Sequence, residues 1–329
     1  MKAKKFFPII YETILVLSLC LFLLLSQSCS KQPVEPEPEL QLQEDPEPEP
    51  EPEPRSEFPI WGGVCGQFHW HGALTPELNE DLSWQIVRWK VSSWVIDSIG
   101  WSDFRDSLLD CLTPQDVKIL LCPRWNSPNF DPPPADLIQD CVPSNWDDWW
   151  AFCYQIGSLL KDDRVWFQIG NEPDYAGHKY WSGTIPEFIQ YVNCGAEAIR
   201  EANPEAFIVC GGFTGGKQID PIIREVVEGV KDNVDALDRH FYGLDLLSEP
   251  EVEENLTTWS DYCHDLGLKC FVSEMSPPEF ETAEKAGTDC AMFFDLWGSA
   301  GGEYAAANED GTATEIGKAA GDWIKSNTN

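Results

Sequence analysis

Arg164-Val165-Trp166-Phe167-Gln168-Ile169-Gly170-Asn171-Glu172-Pro173-Asp174 is the stretch that decides how this chain reads. An apolar run climbs to a carboxylate bracketed by Asn171 and Pro173, the pattern of a buried parallel strand ending in a polar rim. About a hundred residues later Lys269-Cys270-Phe271-Val272-Ser273-Glu274-Met275 does the same with a single glutamate. Two carboxylates presented from one rim can divide acid–base and nucleophilic work between them.

Working outward, strands and helices alternate, the signature of a parallel sheet with crossover helices. Eight units can be counted. The strands are expected at Gly62 to Trp70, Gln85 to Val91, Val117 to Cys122, the opening stretch, Ala206 to Cys210, Ala236 to Tyr242, Lys269 to Met275 and Cys290 to Trp297. Helices are expected at Pro76 to Trp84, near Ser102 to Cys111, from an Ser144 N-cap to Lys161, from a Thr184 cap with Pro186 in the first turn to Glu201, at Glu251 to Leu266, and near Ala313 to Ser326. Gly211 to Gly216 reads as a tight loop above the fifth strand, since it lacks the Lys-Ser/Thr of a nucleotide loop. The period of two places Asp238, His240 and Tyr242 on one face of the sixth strand. The fold class is therefore α/β, a single-domain (β/α)8 TIM barrel whose inward side chains fill it in layers.

Asn-Glu-Pro closing one strand and a lone Glu closing another resemble the fourth and seventh strands of the clan A glycoside hydrolases, over roughly residues 58 to 328. The wording from Ile169 to Asp174 is similar to the family 39, family 128 and family 5 branches. The resemblance implies a retaining glycosidase with Glu274 as nucleophile and Glu172 as acid/base. It implies that Asn171 bonds the sugar 2-hydroxyl, that Tyr242 of the His240-x-Tyr242 pair holds the nucleophile, and that Arg88 keeps it ionised. His69 is expected to touch sugar hydroxyls, and Trp125 and Trp297 to stack on sugar faces. Trp70 and Trp181 lie in further loops above strands, among fifteen tryptophans in all.

The ends of the chain carry a different signal. Lys2, Lys4 and Lys5 precede an apolar run that reaches Leu25 and then Ser28-Cys29, which reads as an export signal over residues 1–29 with a bacterial-lipoprotein-type cysteine. An uncleaved membrane anchor and ordinary secretion are the alternatives. Residues 30–57 are rich in Pro-Glu repeats and form an extended, self-repelling tether, up to roughly 85 Å long at about 3.1 Å per residue. Residues 58–329 are the catalytic domain. The net charge is −34, and the tether supplies only about ten of the acids. The domain is thus itself acidic, which argues against nucleic acid and against anionic polysaccharides. A neutral β-linked glucan, xylan or mannan is the expected partner, in an open cleft suited to endo action, with the membrane met only through the N-terminal anchor and the enzyme a monomer.

Twelve cysteines carry no CxxC spacing. Cys122, Cys210, Cys270 and Cys290 fall in apolar strands, where a free thiol packs as a small hydrophobe. Cys111, Cys141, Cys153, Cys194 and Cys263 are the better disulfide candidates in an exported chain. No cofactor or metal is expected. Two other readings remain open. His69-Trp70-His71, with His240 and Asp295, could begin a metal-dependent amidohydrolase site, although five histidines are few for it. The barrel could also bind carbohydrate without cleaving it.

Overall fold

Eight strands pair in parallel in chain order, and the last closes on the first. They are β1 (Ile60–Gln67), β2 (Ile86–Ser92), β3 (Lys118–Arg124), β4 (Val165–Ile169), β5 (Ile208–Thr214), β6 (Ala236–Phe241), β7 (Lys269–Met275) and β8 (Cys290–Phe293). Nine helices accompany them among the described residues: α1 (Pro76–Leu82), α2 (Ser93–Ile99), α3 (Trp101–Leu112), α4 (Trp146–Leu159), α5 (Ile185–Ala202), α6 (Pro221–Val230), α7 (Glu249–Asp265), α8 (Phe280–Lys285) and α9 (Glu315–Asn327). The computed structural model describes residues 60–67, 76–112, 117–125, 140–175, 180–214, 219–241, 247–275, 280–294, 306–308 and 312–327. The (β/α)8 barrel expected from the alternation is what these elements form.

Strand periodicity divides each strand between two apolar environments. On β3, Ile119 and Leu121 face the helices, while Leu120 joins Ile86, Trp166, Val209, Ala236, Phe271 and Met292 inside the barrel. Trp166 fills the middle of that floor. Its ring lies 4.5 Å from Phe207 and 5.9 Å from Phe271, with the Lys118 ammonium 4.6 Å from its centroid. One layer higher the interior turns polar, because the same phase brings in Arg88, Gln168, Asp238 and Ser273, all fully buried. The dry floor carries stability and the polar layer above it prepares a site.

Outside the barrel α4 and α5 pack most closely. Trp149 stacks on Tyr191 with centroids 4.1 Å apart, and its indole N–H donates to the Tyr191 carbonyl at 2.9 Å. Truncating a buried tryptophan of this kind costs about 3–5 kcal/mol. The start of α5 is the expected Thr184 cap. Thr184 Oγ1 accepts from the Glu187 amide, and Glu187 Oε2 accepts from the Thr184 amide at 2.8 Å.

Some boundaries differ from the sequence reading. The cap of α4 is Asn145, whose side chain accepts from the Asp147 amide at 3.1 Å, and Ser144 stands outside; either residue type caps well, and the helix starts one residue later. β5 does not stop at Cys210 but runs to Thr214, so the expected glycine loop is strand from Gly211 to Thr214. Gly212, at φ 74°, makes this possible: a Cβ there would sit 2.7 Å from His240 Nε2. β1 ends at Gln67 and β8 at Phe293. The eight described cysteines, including Cys141, Cys153, Cys194 and Cys263 of the proposed disulfide set, are free thiols.

Candidate active site

The site grows from the C-terminal ends of β2, β4, β6 and β7. Arg88 is its hub and is completely buried. Its Nη1 donates to Glu274 Oε1, its Nε donates to Gln168 Oε1 at 2.5 Å, and its Nη2 donates to Asn171 Oδ1 at 2.6 Å. Gln168 passes the polarity on, since its amide donates to Asp238 Oδ2 at 2.5 Å. Asp238 also accepts from the Ser273 amide at 2.7 Å and from the Ser273 hydroxyl. Burial works against the Arg88 charge, but Cys122, Glu274 and Asp238 outweigh it and hold the guanidinium above its ordinary value. With its fork fully engaged, Arg88 fixes where Glu274 and Asn171 stand.

Glu274 has a second cation beside it. Lys90 Nζ lies 3.4 Å from the same Oε1. Burial dominates the Lys90 titration and, helped by Arg88 and Arg124 and opposed by Glu274, lowers it to about 8. Lys90 was not among the residues expected in the site, yet the signal was there: two residues beyond Arg88 on a strand is the same face.

Glu172 shares a His240 nitrogen with Glu274. His240 Nδ1 is 2.6 Å from Glu172 Oε1 and 3.4 Å from Glu274 Oε2, and the His240 Nδ1 and nearest oxygens of both glutamates lie within 4.8 Å of one another. The backbone at Glu172 is left-handed, φ 47°, a conformation that costs a non-glycine residue on the order of 1–2 kcal/mol. Three contacts hold it there. The Glu172 amide donates to the Gly212 carbonyl at 2.9 Å, the Tyr175 amide donates to the Glu172 carbonyl at 3.2 Å, and Asp174 anchors the following turn by accepting from the Thr214 amide and hydroxyl at 3.0 and 2.7 Å. Strain concentrated on one carboxylate at a strand end is the behaviour of a functional position.

Tyr180 is half-buried within this field. Burial first, then Glu172, Tyr175 and Glu274, raise its phenol, while Arg124 pulls the other way. Its ring meets that of the exposed Tyr175 edge-on at 5.2 Å. Trp125, expected over the cleft, is instead half-buried against α4, 6.2 Å from Trp149 and 6.0 Å from Phe152. Trp181 likewise packs on Phe188 and Tyr191. His69, Tyr242 and Trp297, and with them Trp70, His71 and Asp295, lie outside the described residues. Of the remaining expected residues, Arg88, Asn171, Glu172, His240 and Glu274 are brought together.

Glu172, His240 and Glu274 are near enough to share a metal ion. Arg88 and Lys90 on Glu274 make that a poor place for a divalent cation, because two positive charges already occupy the carboxylate.

Residues 152–311 match the family model described as Cellulase (glycosyl hydrolase family 5). The matched span carries Asn171, Glu172, His240 and Glu274. Over that span this chain is similar to the glycosyl hydrolases. Its barrel is similar to a glucosidase from Croceicoccus marinus (13% identity, TM-score 0.59, covering 80% of this chain and 67% of that one). It is similar also to the exo-β-1,4-mannosidase Op5Man5 from Opitutaceae bacterium strain TAV5 (15%, 0.59, 82% and 60%) and to a monomeric β-xylosidase from Caulobacter crescentus CB15 (14%, 0.58, 82% and 69%). At these identities the likeness is one of fold, and this chain spans 60–69% of the length of the three. No curated protein sequence matches it.

Proposed function

We propose that this glycosidase cleaves β-linked polysaccharide or oligosaccharide with retention, using Glu274 as nucleophile and Glu172 as acid/base. One observation carries the reading: two buried carboxylates within 4.8 Å of a shared histidine stand in opposite electrostatic surroundings. Glu274 is flanked by Arg88 and Lys90, which favour a charged, attacking carboxylate. Among the described residues, His240 is the close side-chain partner of Glu172. So short a separation leaves no room for a water between carboxylate and sugar, as inversion requires.

The chemistry follows in two steps. A Glu274 oxygen bonds to the anomeric carbon as the glycosidic C–O bond breaks, and the departing oxygen takes the Glu172 proton. Water then attacks the glycosyl ester, returns a proton to Glu172, and releases Glu274. Because Asn171 Oδ1 is already taken by Arg88, Asn171 has its amide N–H pair left for the sugar 2-hydroxyl. The Tyr175–Tyr180 pair supplies an aromatic edge close to Glu172 in place of Trp125. Glucan, xylan and mannan backbones suit this reading. The N-terminal segment supports export and lipid anchoring of a monomeric enzyme at the cell surface.

Proton NMR of the first anomer released from a β-linked substrate tests the reading. The β-anomer is expected, and Glu274→Ala is expected to abolish turnover. The α-anomer as first product would remove both retention and the role of Glu274.

A further inference from the structure

Arg124 ends β3 on the inward phase set by Leu120 and Cys122, one level above Lys90, since Lys90 pairs with Cys122 and Ser92 with Arg124. It is only 4% exposed, yet its Nε and Nη2 have no hydrogen-bond partner among the described residues. Arg124 is the charge that acts most on Asp140, but Asp140 spends Oδ1 on accepting from the Tyr191 hydroxyl at 3.5 Å, and its Oδ2 has no partner among the described residues. A buried guanidinium with open donors is costly, and its fork is shaped for a planar or tetrahedral oxyanion. Two further observations connect it to the reacting carboxylates. Lys90, beside Arg124 and 15% exposed, touches Glu274, and Tyr180 responds to Glu172, Glu274 and Arg124 together.

From this juxtaposition we infer that the β2–β3 edge of the cleft is a subsite for an oxyanion carried by the sugar next to the scissile bond, either a uronic acid carboxylate or a sulfate ester, with Arg124 as its main ligand and Lys90 as its second. The inference rests on the glycosidase reading and narrows its substrate class. The overall acidity, from which a neutral substrate was expected, does not oppose it. Exposed charges are screened beyond about 8 Å at physiological salt, whereas a contact inside the cleft is not. The balance fits a largely neutral chain bearing occasional acidic units better than a polyanion.

The test uses the full chain on a glucuronate-substituted β-1,4-xylan and a sulfated β-glucan, each paired with its carboxyl-reduced or desulfated form. The acidic member of one pair is expected to be cleaved at least about tenfold faster in kcat/KM, and the pair concerned tells carboxylate from sulfate. Arg124→Met is expected to collapse that ratio toward one, whatever it does to the neutral rate, with the melting temperature changed by no more than about 3 °C. A purely structural arginine would instead lower the melting temperature and leave the ratio intact. Equal or faster cleavage of the neutral members overturns the subsite and leaves the glycosidase standing. Failure to cleave or bind any of the four polymers overturns both.

Discussion

Arg88 and Arg124 sit on neighbouring strands of one barrel, both buried and both pointing inward, and their surroundings are opposite. Around Arg88 three donors meet Gln168, Asn171 and Glu274, and Asp238 and Ser273 complete the network behind them. Around Arg124 two donors are open, Asp140 keeps an unpartnered oxygen, and Lys90 holds its charge only weakly. The first region is finished by the fold, and its rigidity positions the two glutamates. The second is unfinished, and a barrel able to close its own hydrogen bonds on one side leaves them open on the other where a ligand completes them.

The comparison is broken most severely by Arg88→Met. It removes the hub and strands Glu274, Gln168 and Asn171 in a low-dielectric interior, so a loss of about 3–5 kcal/mol is expected in urea unfolding, together with loss of turnover. If Arg88→Met costs no more than Arg124→Met, the contrast between a filled and an unfilled region is wrong. Next in size is Glu172→Ala. Turnover of substrates with poor leaving groups should fall by roughly 10²–10⁴, and activated aryl glycosides should fall far less because they need little acid assistance. Azide should restore rate and give a β-glycosyl azide; an α-azide would place the acid on the wrong residue.

How much of this was legible beforehand depends on what each feature rests on. β4 and β7 declare themselves because a buried parallel strand is a continuous apolar run, and a glutamate ending such a run has nowhere to go but the rim. The α5 cap declares itself because a capping box is local chemistry. Arg124 was hidden for a different reason. An arginine near a strand end reads equally as outward and solvated until closure of the barrel decides which face is inside. The left-handed turn at Glu172 is imposed by Gly212 and Thr214 from β5, a contact between segments far apart in sequence. Trp125 shows the limit of loop logic: it follows a strand, but the layer beneath α4 takes its ring.

The same contrast can be sharpened by pH. Lys90 titrates at about 8 in the fold against about 10.5 when free, so its charge is held at a cost. Below pH 8 both folded and unfolded chains carry the proton and the cost is complete. Between 8 and 10.5 the folded chain has released it first, so stability rises with pH, and above 10.5 the cost is gone. Lys90→Met should therefore gain roughly 2–3 kcal/mol at pH 7 over the parent chain, a gain that shrinks through pH 10.5 in thermal scans. A constant difference across that window would show that packing, not charge, controls the site.

The smallest effect concerns Asp140, whose carboxyl is pushed up to about 6 by burial, against the pull of Arg124 and Lys90. Here the sign is reversed from that of a paired carboxylate. Below about pH 4 both states are protonated and nothing is lost; as pH rises toward 6 the unfolded chain ionises first, and stability falls until both are charged. Asp140→Asn keeps the shape and removes the charge, so it should equal the parent near pH 4 and exceed it by about 1–2 kcal/mol at pH 7. In the Arg124→Met background the gain at pH 7 should be larger, because the cation that eased the Asp140 charge is gone. The size of that increase measures how far Asp140 answers Arg124. Coupling under about 1 kcal/mol leaves the guanidinium open to a ligand, whereas coupling of 3 kcal/mol or more would make Arg124 and Asp140 a buried ion pair in all but distance and would close the subsite.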